Sequence, residues 1–83
     1  MINKITRSPT FIKQIKNIDS FLMKKLRKQI QKIIENPFVG KPLKYIHGER
    51  TIYIKPFRLI YSFFGDELIL LKFKHRKDVY EEK

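Results

Sequence analysis

Apolar residues along the chain follow two different periods, and the change between them falls near its midpoint. Ile2 to Thr6 is a short apolar/polar alternation that predicts an edge strand. Ser8-Pro9 then reads as a helix start: a serine oxygen suits the orphan N–H groups of a first turn, and proline suits the first helical position. Phe11, Ile12, Ile15 and Ile18 follow at helical spacing. Asp19 or Ser20 caps a second helix reaching Glu35, with Leu22, Met23, Leu26, Ile30, Ile33 and Ile34 on one stripe. Lys24, Lys25, Arg27, Lys28, Gln31 and Lys32 occupy its other face, and Asn36-Pro37 ends it.

Residues 37–48 form a turn-rich connector with Gly40, Pro42 and Gly48. Beyond Glu49 the period becomes two. Residues 50–54 and 57–64 read as strands joined by a tight turn at Lys55-Pro56. Gly65-Asp66 is a hairpin signal, and residues 68–74 form a third strand, apolar on both faces at its centre and therefore internal. The predicted order is β-α-α-β-β-β, a helical hairpin packed on a mostly antiparallel sheet. This is an α+β fold in one domain spanning residues 1–83.

The hairpin carries a geometric consequence. A two-residue loop pairs Phe64 with Glu67, and the same register sets Ser62 against Ile69, Ile60 against Leu71 and Arg58 against Phe73. Arg58 and His75 then share one face diagonally, while Lys74 and Arg76 leave from the other. A slip of one residue reverses that assignment. In either register Arg58, Lys74, His75 and Arg76 gather at one sheet edge, with Tyr80 a few residues beyond.

Charge changes the picture from a fold to a binding partner. The chain has 19 basic and 8 acidic residues, a formal net charge of +11. Residues 1–40 carry 9 basic and 2 acidic groups and residues 41–83 carry 10 and 6, so the excess is not a detachable tail. Such a field attracts polyanions, whether nucleic acid or an acidic protein. With no cysteine, neither disulfides nor thiolate metal sites support the fold. The scattered carboxylates form no metal motif, no glycine-rich phosphate loop is present, and no cofactor is implied. No apolar run approaches the ~20 residues of a membrane span, and no apolar stretch follows Lys4 as in a secretory signal, so a cytoplasmic location is expected.

The terminal cluster suits phosphate. Arginine supplies a planar bidentate fork, His75 an imidazole able to donate or accept a proton, and Tyr80 offers a ring for stacking and a hydroxyl for proton transfer. Each has a structural alternative: Arg58 as an ion-pair partner of Asp78 or Glu67, His75 as an edge histidine, Tyr80 as a pin for the C-terminal segment. Lys55, Arg50, Lys44 and Lys41 are further candidates for RNA contact.

Three segments resemble the RelE/ParE superfamily of bacterial and archaeal toxins, nearer its RelE branch, over nearly the whole chain. Residues 36–43 are similar to the Pro/Gly turn after the second helix. Phe57-Arg58-Leu59-Ile60-Tyr61 resembles the family's Y-R-x-x-Y strand, and residues 75–80 its terminal H-R-x-x-x-Y. The resemblance implies a toxin of a type II toxin–antitoxin pair, a ribosome-dependent endoribonuclease that cleaves mRNA in the A site without a metal. It also implies neutralisation by a small acidic antitoxin in a hetero-oligomer. Arg58 matches the strand arginine expected on the scissile phosphate. Arg76 and Lys74 match the terminal basic cluster, Tyr80 the C-terminal tyrosine, and His75 a histidine of some relatives. RelE-type enzymes carry two lysines on the strand before the arginine strand, where this sequence has Thr51 and Tyr53, with Lys55 nearby. That departure leaves open weak cleavage, use of His75, or binding without cleavage. Two alternatives to the nuclease are a ParE-like inhibitor of DNA gyrase and a catalytically weak RNA- or antitoxin-binding relative.

Overall fold

The computed structural model describes residues 1–77. In chain order the elements are β1 (Lys4–Arg7), α1 (Pro9–Ile15), α2 (Ser20–Glu35), a 3-10 turn (Pro37–Val39), β2 (Lys41–Pro42), β3 (Arg50–Ile54), β4 (Phe57–Phe64) and β5 (Glu67–His75). The sheet order is β1-β5-β4-β3-β2, with β1 parallel to β5 and every other pair antiparallel.

Local chemistry starts both helices and stops α2 where the sequence predicts, while α1 ends at Ile15, short of Ile18. Ser8 is extended and its Oγ accepts from the Phe11 N–H at 3.0 Å, with Pro9 opening α1. Asp19 accepts from the Leu22 N–H at 2.7 Å to start α2. Asn36 leaves helical geometry and accepts from the Phe38 N–H, starting the 3-10 turn. Both helices cover one face of the sheet. Phe11, Leu26 and Ile33 meet Ile54, Leu59, Tyr61, Leu68, Leu70 and Phe73 in the core. The helical stripe of α2 is thus core, as its period requires.

The internal place of β5 agrees with its apolar centre. Two strands differ from the sequence reading. β1 is displaced to residues 4–7, and the connector contains the two-residue β2, too short to leave a period. The register of the last hairpin is the larger correction. Phe64 pairs with Glu67 and Tyr61 with Leu70, as the two-residue loop requires, but Ile60 pairs with Lys72, Leu59 with Phe73 and Arg58 with Lys74. Leu71 is the extra residue of a β-bulge, and from there the faces of β5 are exchanged. Arg58 therefore lies opposite Lys74 rather than Phe73, and His75 lies opposite Phe57.

Polar groups hold the bulge. The Ser8 N–H donates to the Leu70 carbonyl at 2.9 Å and the Ser8 hydroxyl to the Leu71 carbonyl at 2.7 Å. β1 ends beside Leu70, so β5 has no strand neighbour on that side further on. There the Phe73 N–H donates to Gln14 Oε1 of α1 at 2.7 Å. A backbone donor that would otherwise be stranded beside the core is satisfied.

Candidate phosphate-binding face of the sheet

The sheet face away from the helices is built in rows by strand pairing. Tyr53, Arg58 and Lys74 form one row across β3, β4 and β5. Lys41, Thr51, Ile60 and Lys72 form the next, across β2 to β5. The rows lie two residues apart, roughly 7 Å along the strands. Arg76 follows β5, and its N–H donates to the Pro56 carbonyl at 2.9 Å, which ties it to the β3–β4 turn.

One ring stands at the β3 end of this row, against two of the cations. The Arg58 guanidinium carbon lies 5.2 Å from the Tyr53 ring centroid and that of Arg76 lies 5.8 Å from it. Both are within the ~6 Å range of a cation–π contact. Tyr53 remains 45% exposed, so the cluster is reachable from solvent. In the neighbouring row Thr51 is buried and its hydroxyl has no hydrogen-bond partner. The arrangement offers two planar guanidinium forks and an ammonium group on a sheet face, a combination that suits a phosphodiester.

The other expected site residues divide. Lys74 and Arg76 join Arg58, against the reading that put them on opposite faces. His75 is on the helix side of the sheet with its ring edge-to-face with Phe57 at 5.6 Å, and its Nδ1 accepts from the Lys77 N–H. The structure thus separates His75 from the face carrying Arg58. Lys41 lies on the open face opposite Thr51. Lys55 is exposed in the β3–β4 turn, and Lys44 is exposed beside Tyr45. Arg50 pairs with Tyr61 on the helix side and donates to the Gly40 carbonyl at 2.7 Å and the Phe38 carbonyl at 3.3 Å. Its guanidinium secures the 3-10 turn and is not part of the open-face cluster. Glu67 accepts the Thr6 hydroxyl and is seven residues from Lys74, roughly 23 Å along β5, which excludes it as an Arg58 partner. Tyr80 and Asp78 lie outside the described residues.

The sequence reading missed Tyr53 as a member of the cluster. The bulge shows in the burial instead: Leu68, Leu70 and Phe73 are the core positions of β5, and their parity changes between 70 and 73.

Two helices on one side of a five-stranded sheet and a cationic cluster on the other define a small α+β protein with a basic sheet face. The model of the ParE toxin of the type II toxin–antitoxin system, parDE, matches residues 5–80, and the chain belongs to that family. It is a toxin of a toxin–antitoxin system within the RelE/ParE superfamily. In structure it is similar to a chain of the RelB–RelE antitoxin–toxin complex from Methanococcus jannaschii, with 22% identity, 92% of this chain and 95% of that chain covered, and a TM-score of 0.74. The isolated E. coli RelE toxin gives 17% identity, coverage of 95% and 92%, and a TM-score of 0.78. A chain of the E. coli DinJ–YafQ complex gives 21%, 94% and 98%, and 0.74. These likenesses establish the fold. No curated protein sequence matches the chain.

Proposed function

We propose that this toxin is a ribosome-dependent endoribonuclease that cleaves mRNA in the A site and so stops translation. The observation that carries the reading is the gathering of Arg58, Lys74 and Arg76 on one open face, the two arginines against the Tyr53 ring. In the reaction a 2′-oxygen attacks the adjacent phosphorus and the 5′-oxygen leaves. A 2′,3′-cyclic phosphate and a 5′-hydroxyl form, and one proton passes from the 2′-hydroxyl to the leaving oxygen. Charge develops on the phosphoryl oxygens as the new bond forms. Arginine forks aimed there stabilise the transition state more than the ground state. Arg58 and Arg76 take that role, with Lys74 beside them. Tyr80, from its sequence position, supplies stacking or proton transfer, whereas His75, on the helix side of the sheet, takes no part on this face.

The partner proposed is a small acidic antitoxin covering part of the basic surface. The +11 charge supports it, as do the antitoxin complexes among the similar structures. A cytoplasmic location accords with a ribosomal target.

Primer extension on programmed ribosomes tests the nuclease reading. Cleavage at the A-site codon is expected, with Arg58→Ala reducing the rate by about 100-fold or more, as loss of one preorganised charge donor does. Intact mRNA at equimolar toxin would end it. A second reading, inhibition of DNA gyrase, is favoured by the ParE family match and by Thr51 and Tyr53 in place of lysines. Inhibited supercoiling with intact mRNA is its signature.

A further inference from the structure

Arg58 and Arg76 reach the same place from different elements. Arg58 is the second residue of β4, paired on both sides, and Arg76 stands past the end of β5, tied by its N–H to Pro56. Each guanidinium is carried on a long side chain with many rotamers, and like charges brought together repel. A contact shared by both would orient them together toward one phosphate. The Tyr53 ring touches both. Its own height is fixed, because Tyr53 pairs directly with Arg58 and is followed by the buried Ile54.

We propose that Tyr53 is the positioning residue of this phosphate site: its ring holds the Arg58 and Arg76 guanidinium groups so that both engage a single phosphate. The inference rests on the phosphate-binding reading above and gives a reason for the departure at this position. A lysine here would add a fourth positive charge beside Arg58, Arg76 and Lys74 and remove the surface on which two guanidinium groups lie. The tyrosine gives up that charge for preorganisation, which lowers the ordering cost of binding. The ring face performs this role, and the hydroxyl is not required.

The test uses the full chain with Tyr53→Phe, which keeps the ring, and Tyr53→Ile, which removes it but keeps high strand propensity. Two readouts are compared: affinity for a 2′-O-methyl RNA heptamer, which cannot be cleaved, and single-turnover cleavage on programmed ribosomes. Tyr53→Phe is expected to stay within about twofold of wild type in both. Tyr53→Ile should weaken heptamer binding about tenfold, or about 1.4 kcal/mol, with an unchanged thermal midpoint because Tyr53 lies outside the buried core. In an Arg76→Ala background the same change should cost less than about threefold, since a positioning residue acts through the group it holds. The proposal is overturned by a Phe variant as weak as the Ile variant, by an Ile variant that binds like wild type, or by an undiminished effect without Arg76. It is also overturned if wild type does not bind the heptamer. Wild type that binds it but leaves mRNA intact removes the nuclease reading alone, and the binding comparison still decides the role of the ring.

Discussion

Tyr61 is fully buried, yet its phenol has two partners: it donates to the Pro37 carbonyl at 2.7 Å and accepts from the Gly40 N–H at 2.9 Å. The ring also explains Gly40, where an added Cβ would lie 2.6 Å from the Tyr61 hydroxyl oxygen. The sequence marks Gly40 only as a turn residue, because a close approach across 21 positions leaves no local pattern. Tyr61→Phe strands both partners and should cost about 1–3 kcal/mol, read from denaturant midpoints. Burial raises the Tyr61 pKa above its ordinary value of 10.0, while the Gly40 hydrogen bond and Arg50 oppose the rise. A raised folded pKa means that this stabilisation is complete below the ordinary value and is lost as pH climbs through the folded one. Wild type should therefore lose stability above about pH 10, and Tyr61→Phe should flatten that alkaline fall. Equal alkaline slopes for the two proteins would refute the assignment.

Among the elements, boundaries were legible wherever a side chain itself makes the signal. Ser8 caps α1 as predicted, Asp19 rather than Ser20 caps α2, Asn36-Pro37 ends it, and β3 and β4 have the predicted limits. The bulge was not legible by simple alternation, because Leu68 to Leu71 is apolar throughout and a continuous apolar run has no phase. Its consequence was the face of every later side chain, and with it the membership of the candidate site. Ser8 links the two ends of the chain at this point, capping α1 and holding the Leu71 carbonyl. Ser8→Ala should cost about 1–3 kcal/mol, since it removes a cap and a buried-side donor together. Ser8→Asp retains an acceptor for the cap but has no hydroxyl to donate, so it should recover only part of the loss. Urea midpoints of the three proteins decide this, and an alanine variant as stable as wild type would remove Ser8 from the account of the bulge.

At the scale of the molecule, the +11 charge predicts a polyanionic partner without saying which surface meets it. The fold separates two candidates. Lys24, Lys28 and Lys32 are on the exposed side of α2, while Lys41, Arg58, Lys72, Lys74 and Arg76 belong to the open sheet face or its end. The thinnest dimension of the molecule is 21 Å, about two Debye lengths at 0.1 M salt. Charges on one layer are therefore largely screened from a strand bound to the other. If RNA lies on the sheet face, contact with ~4–6 phosphates gives a log–log salt slope of roughly −3 to −5. Replacing Lys72 and Lys74 together by Gln should make that slope shallower by about 1.5–2, because each lost contact releases one fewer counterion. Replacing Lys24, Lys28 and Lys32 by Gln should leave the slope unchanged within about 0.5 while slowing association through the weaker long-range field. The heptamer titrated from 50 to 200 mM salt supplies the measurement. If the α2 variant flattened the slope and the β5 variant left it intact, RNA would be bound on the helical side, and the Arg58 cluster would lose its claim to the phosphate.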